Sequence, residues 1–228
     1  MSFFKENLAV LLAEGRINQV LLEEFCDSQR INLDEILEGK ITADVNMLVF
    51  VSSQCGHTYE QLIDQKLQEF KLLQNKKISM LILDVDGVLT DAGMYYTEAG
   101  DEFKKFNAKD GIAIRKLTKA GFQVGIISSG FNKNIIQRRA DLLGIQQVYL
   151  GLDEKMDVLD SWCKKLSVPL SQVAFIGDDI NDLNVMSEVG FSACPADAVL
   201  EVKQAADIVL TKNGGKACVR EFIDKFLP

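Results

Sequence analysis

Ile78-Ser-Met-Leu-Ile-Leu-Asp84-Val-Asp86-Gly87-Val-Leu-Thr90-Asp91 decides how this chain is read. Four apolar residues, Met80 to Leu83, run without alternation into two carboxylates one residue apart, and then a glycine. An unbroken apolar run of this length suits a strand buried on both faces of a parallel sheet. Burying carboxylates without partners is costly, so a strand that carries two of them to its own tip implies a ligand there. Alternate residues of an extended segment point the same way, so Asp84 and Asp86 can converge on one cation or one substrate.

Downstream the pattern repeats as strand, loop, helix. Apolar, β-rich runs occur at 80–83, 123–127, 148–150, 173–176, 191–193 and 208–210. Helical periodicity lies between and after them, at 112–120, 134–143, 155–166, 180–189, 200–205 and 216–226. This alternation predicts an α/β fold, a doubly wound Rossmann-like parallel sheet with helices on both faces. Residues 94–106 break the rhythm. Two short β-like runs flank a turn containing Gly100, which predicts a hairpin flap over the tip of the acidic strand. Residues 1–75 instead carry apolar residues at helical spacing throughout and predict a small all-α domain, joined through 75–77 to an α/β domain over 78–228.

Three more strand ends carry chemistry. Ser128-Ser129-Gly130 follows the second strand with hydroxyls, a glycine and a helix start, a combination suited to an anion. Lys155, after Gly151-Leu-Asp-Glu, can bring a positive charge over the same crevice. Gly177-Asp178-Asp179-Ile-Asn-Asp182 gathers three acids within five residues at the fourth tip. Such acids repel one another without a cation, and oxygen-only carboxylate sites suit Mg²⁺. Strand tips of one parallel sheet lie along one edge, so the four groups predict a single site.

Composition narrows the alternatives. The chain has 228 residues, is 47% hydrophobic and 25% charged, and carries a formal charge of −8. That balance disfavours nucleic acid and anionic membranes. No stretch approaches the roughly 20 apolar residues of a membrane span. The N-terminus lacks a signal pattern, and five scattered cysteines without a Cys-x-x-Cys predict reduced thiols in a cytoplasm.

Asp84-x-Asp86-Gly87-x-x-Thr90, Ser128, Lys155 and Gly177-Asp178-Asp179-x-x-Asp182, in this order, resemble the four motifs of the haloacid dehalogenase-like superfamily. Gly100-x-Glu102-x-Lys104-x-Phe106-Asn107, Lys109-Asp110-Gly111, Arg139-Ala140 and Gly214-Gly215-x-Ala217-x-Val-Arg220-Glu221-Phe222 narrow the likeness. They resemble the phosphatases of 3-deoxy-D-manno-octulosonate 8-phosphate and their relatives acting on nonulosonate 9-phosphates. These form a cap-less branch serving lipopolysaccharide or sialic-acid-type biosynthesis. The short gaps from Asp86 to Ser128 and from Lys155 to Asp178 leave no room for a cap.

The resemblance implies Mg²⁺-dependent hydrolysis of a small phosphorylated sugar acid through an aspartyl phosphate. Asp84 is then the nucleophile and Asp86 the acid and base. Asp84, the backbone carbonyl of Asp86, and Asp178 hold the metal, while Ser128 and Lys155 stabilise the phosphoryl group. Thr90, Asp179 and Asp182 support the site, with Asp179 expected to position Lys155. Asp110, Gly111, Ser129 and Arg139 become candidate substrate contacts, and Arg220 could grip a carboxylate bidentately. A homotetramer built through the hairpins is implied, with a neighbour's surface closing each site. The loop Ser128-Ser-Gly-Phe-Asn132 departs from the family's second motif, with no Arg or Glu aligning, so the sugar stays open. A same-mechanism phosphatase for another metabolite and a phosphosugar-sensing regulator are the alternatives.

Residues 19–63 also resemble the helix-turn-helix domain of phage-repressor type. The recognition helix would be Asn32 to Glu38, which holds Asp34, Glu35 and Glu38 and no Lys or Arg. Such a surface repels a phosphate backbone. A helical module for oligomer or partner contact is the expectation for residues 1–75, and His57 is expected to be a capping or surface residue.

Overall fold

The computed structural model describes residues 3–64, 67, 75–129 and 133–228. The chain divides into two compact units, Met1–Asn75 and Lys76–Pro228.

In the first unit the described helices are α1 (Phe4–Ala13), α2 (Gln19–Gln29), α3 (Leu33–Glu38), α4 (Val45–Cys55) and α5 (Tyr59–Asp64). Side chains at the entries accept from exposed backbone N–H groups: Asn18 from Val20 and Leu21, Asn32 from Asp34 and Glu35, Asp44 from Met47. These caps satisfy donors that a helix start leaves open. The apolar stripes meet in a core of Phe4, Leu8, Leu11, Leu22, Ile36, Met47, Val51 and Leu62. Buried Asn7 ties the ends of the unit, donating to the Leu62 carbonyl and accepting from the Leu67 N–H. His57 meets Arg16 through Nε2. The helix expected over 58–74 is described to Asp64; its remainder lies largely outside the described residues.

The second unit holds a parallel sheet of β1 (Met80–Leu83), β4 (Gln123–Ser128), β5 (Gln147–Leu150), β6 (Val173–Ile176), β7 (Phe191–Cys194) and β8 (Ile208–Val209) in the order β5-β4-β1-β6-β7-β8. The helices are α6 (Ala108–Lys119), α7 (Lys133–Leu143), α8 (Lys155–Leu166), α9 (Leu183–Glu188), α10 (Leu200–Ala205) and α11 (Cys218–Phe226). Every residue of β1 and β6 is fully buried, as unbroken apolar runs require. β1 pairs with β4 and β6 on its two sides, Leu83 opposite Ile126 and Ile176. That register brings the ends of β1, β4 and β6 level, so Asp84, Ser128 and Gly177–Asp178 share one edge. The short antiparallel hairpin of β2 (Tyr95–Tyr96) and β3 (Glu102–Phe103) is separate from the sheet.

Two helix boundaries differ from expectation. α6 begins at Ala108, four residues earlier than its apolar spacing suggests, because Asn107 caps it by accepting from the Lys109 N–H. The segment expected as one helix from Ile180 splits into a tight turn, Ile180–Asp182, and α9.

Candidate active site

β1 ends at Leu83, and the chain then bends through Val85–Leu89 in one wide turn closed by a hydrogen bond from the Thr90 N–H to the Val85 carbonyl. Gly87 makes the bend possible. Its φ is +84°, a region L side chains rarely enter, and a Cβ there would sit 2.0 Å from Asp178 Oδ2. The loop is backed from behind by the C-terminal segment. Gly215 N–H donates to the Val88 carbonyl, and a Cβ on Gly214 would lie 1.8 Å from the Gly87 oxygen. The late glycines therefore serve to hold the acidic loop in place.

Asp84, at the tip of β1, is buried. Lys155, at the start of α8, donates to Asp84 Oδ1 at 2.9 Å and to Asp182 Oδ1 at 2.6 Å. Desolvation works against the Lys155 ammonium, but the two carboxylates outweigh it and its pKa rises. Asp182 is fully buried, and its second oxygen accepts from the Asp178 and Asp179 N–H groups. Asp182 is thus the residue, besides Asp84, that positions Lys155. This corrects the expectation placed on Asp179, whose carboxylate accepts from the Ile180 N–H and starts the tight turn. The separation of three residues between Asp179 and Asp182 explains the exchange: the turn points one acid inward and the other to its cap.

Ligand oxygens of Asp84, Asp178 and Asp182 lie within 4.8 Å of one another. Burial, followed by repulsion from Asp84, Asp182 and Asp179, pushes the Asp178 carboxyl up to about 8. Burial also raises Asp84, against the lowering effect of Lys155. Acids crowded in this way are relieved by a divalent cation, so the donor set fits Mg²⁺. Both oxygens of Asp182 already serve Lys155 and two amides, which leaves Asp178, and Asp84 beyond its bond to Lys155, as the carboxylates to take a cation.

A cavity of about 470 Å³ opens onto these groups. Its floor is Asp84, Asp86, Ser128, Ser129, Asp178, Asp179 and Asn181, and its wall is Ala92, Met94, Tyr96, Glu102 and Lys104 from the hairpin region. That volume falls within the range of small-molecule sites. Ser128 is buried and Ser129 exposed; the loop 130–132 lies outside the described residues.

Asp86 is held from two sides. Thr90 Oγ1 lies 3.2 Å from Asp86 Oδ1, and Lys104 Nζ lies 2.6 Å and 2.9 Å from the two carboxylate oxygens. Lys104 also pairs with Glu102 at 3.0 Å. No role for Lys104 or Glu102 follows from the sequence beyond their place in the pattern Gly100-x-Glu102-x-Lys104.

The remaining candidates are not among the residues that line this cavity. Asp110 is buried in α6, where Oδ1 accepts from the Arg220 backbone N–H at the start of α11. Desolvation raises its pKa to about 6 against the backbone N–H groups of Arg220, Ala217 and Val219. Arg139 Nη2 donates to the Asn107 carbonyl, and its guanidinium stands over the Phe106 ring. Gly111 leaves room for Arg139, since a Cβ there would lie 2.4 Å from Nη2. Arg220 pairs with Asp224 one turn along its helix. Within this chain Asp110, Gly111 and Arg139 make contacts that join α6 to α7 and α11, and none of these four candidates is among the residues lining the cavity.

Similarity to known proteins bears on the same region. The family description haloacid dehalogenase-like hydrolase matches residues 152–223. A 3-deoxy-D-manno-octulosonate 8-phosphate phosphatase of Haemophilus influenzae is 40% identical over 152 residues, 67% of this chain and 84% of that protein. The crystal structure of such a phosphatase from Yersinia pestis aligns with TM-score 0.66 at 36% identity, over 69% of this chain and 84% of that one. One from Moraxella catarrhalis, in complex with magnesium ion, phosphate ion and a KDO molecule, aligns with TM-score 0.64 at 32% identity, over 69% and 91%.

Proposed function

The chain belongs to the haloacid dehalogenase-like hydrolase family, and from that premise we propose that it is a Mg²⁺-dependent phosphatase of a sugar-acid phosphate. The observation that carries this reading is Asp84 at the tip of β1, held by Lys155 at 2.9 Å and flanked by Asp178 and Ser128. The substrate we propose is 3-deoxy-D-manno-octulosonate 8-phosphate or a nonulosonate 9-phosphate. The likeness to the Haemophilus influenzae enzyme supports the first.

Asp84 Oδ attacks phosphorus in line, and the bond from phosphorus to the sugar oxygen breaks. Asp86 gives its proton to that departing oxygen. Water then attacks the phosphorus of the aspartyl phosphate, its proton passes to Asp86, and the bond to Asp84 breaks to free inorganic phosphate. Lys155 and Ser128 stabilise the phosphoryl oxygens. Asp84, Asp178 and the backbone carbonyl of Asp86 would hold Mg²⁺, which offsets repulsion between a carboxylate nucleophile and a phosphate dianion when bound.

The hairpin exposes Met94, Tyr95, Tyr96 and Phe103. Four large apolar side chains in water on a two-stranded ribbon favour coverage by further copies of the chain, and we assign them to a homotetramer. Residues 1–75 act as a separate helical module for partner contact; α3, with Asp34, Glu35 and Glu38, disfavours nucleic acid. Among the described residues no helix is long and apolar enough to cross a membrane. The five cysteines are buried and unpaired, in keeping with work on a cytoplasmic metabolite.

A phosphate-release screen tests the assignment. Octulosonate 8-phosphate and nonulosonate 9-phosphates should be hydrolysed in preference to simple phosphosugars, and Asp84→Asn should remove turnover from a folded protein. Equal rates across all esters would favour another small phosphorylated metabolite as substrate.

A further inference from the structure

Lys104 belongs to the hairpin, yet its side chain is only 3% exposed and its ammonium faces the tip of β1. It spans both oxygens of Asp86, at 2.6 Å and 2.9 Å. The same ammonium pairs with Glu102, whose side chain is 9% exposed. A buried cation between two carboxylates is held in one geometry, whereas the Asp86 side chain by itself is about a third exposed and otherwise restrained by Thr90. The sequence separation is informative: the partners are 18 positions apart, and the folded hairpin is what brings them together.

We propose that Lys104 is the positioning residue for Asp86, fixing its carboxylate toward the cavity and so making acid–base chemistry depend on the placement of the β2–β3 hairpin. This rests on the reading of Asp86 as acid and base given above. Lys104 does not need to touch the substrate; it acts through the carboxylate that does. Without it, Asp86 would lose the cation that spans both of its oxygens, and the hairpin would lose a buried polar contact with the nucleophile loop.

The test compares wild type, Lys104→Met, Asp86→Asn and the double variant on an alkyl phosphate and on p-nitrophenyl phosphate, reading kcat/KM. An aryl oxide leaves without a proton, so Asp86→Asn should cost the alkyl ester far more than the aryl ester. Lys104→Met should follow the same ranking, with an alkyl loss of about 10²-fold, the low end of what a positioned acid–base group contributes. Adding Lys104→Met to Asp86→Asn should cost less than about threefold further, as expected for residues that act as a unit. Equal losses on the two esters, or losses that multiply in the double variant, would overturn the role of Lys104. If Asp86→Asn itself has no leaving-group dependence, the reading of Asp86 fails instead. Lys104→Gln, shorter and neutral but polar, carries the same comparison should the methionine variant not fold.

Discussion

At the scale of single residues, the site is a set of groups that each exclude their alternatives. Gly87 combines a left-handed φ of +84° with a Cβ position 2.0 Å from Asp178. Gly87→Ala therefore meets two penalties. The backbone term is about 1–2 kcal/mol, which a domain of this size tolerates, so the protein should fold. The displaced Asp178 carboxylate should cost on the order of 10²-fold or more in activity, the scale seen when a group at a reacting centre is misplaced. Thermal unfolding and a Mg²⁺ titration of activity separate the two: a small drop in Tm with a large rise in the Mg²⁺ needed is the expected pattern. Asp182 illustrates what residue types alone leave open. Asp179 and Asp182 are both acids of one motif, and only the tight turn decides that Asp182 points inward to Lys155 while Asp179 caps Ile180.

At the scale of elements, β1 and β6 were legible residue for residue, because a strand buried on both faces must be apolar throughout. The start of α6 was not. Lys109, Asp110 and Gly111 interrupt apolar spacing, and Asp110 lies there to receive the N–H groups of α11, while Gly111 makes room for Arg139. Tertiary contacts chose those residues, and no local pattern reports them. The same holds for Lys104, whose partner lies across a folded hairpin. Legibility at the site thus followed locality: the four strand tips could be read, and the contacts between distant elements could not. The hairpin makes its own prediction. Tyr95 and Phe103 are cross-strand partners, 47% and 57% exposed. Replacing both with serine should lower the solution mass measured by sedimentation from that of an oligomer, with the monomer still folded. An unchanged mass would remove the hairpin from the interface.

At the scale of the whole molecule, the acidic cluster links metal, protons and stability. Burial and neighbouring carboxylates raise Asp178 to about 8 from an ordinary value of 3.8. The metal-free folded chain therefore keeps a proton that the unfolded chain has lost, so this group's contribution to stability declines as pH rises from about 4 to about 8. Mg²⁺ binds the carboxylate form and displaces that proton. The rise in Tm produced by a fixed excess of Mg²⁺ should accordingly grow between pH 6 and pH 8, and a pH-independent rise would contradict the cluster as the metal site. The central claim, that Asp84 carries the phosphoryl group, has a more direct test. Enzyme turning over substrate is quenched in acid and its peptides are mapped by mass. The account predicts one phosphate on the Asp84 side chain, absent from Asp84→Asn. A phosphate found on another residue, or steady turnover with no phosphorylated peptide alongside an active Asp84→Asn, would contradict it.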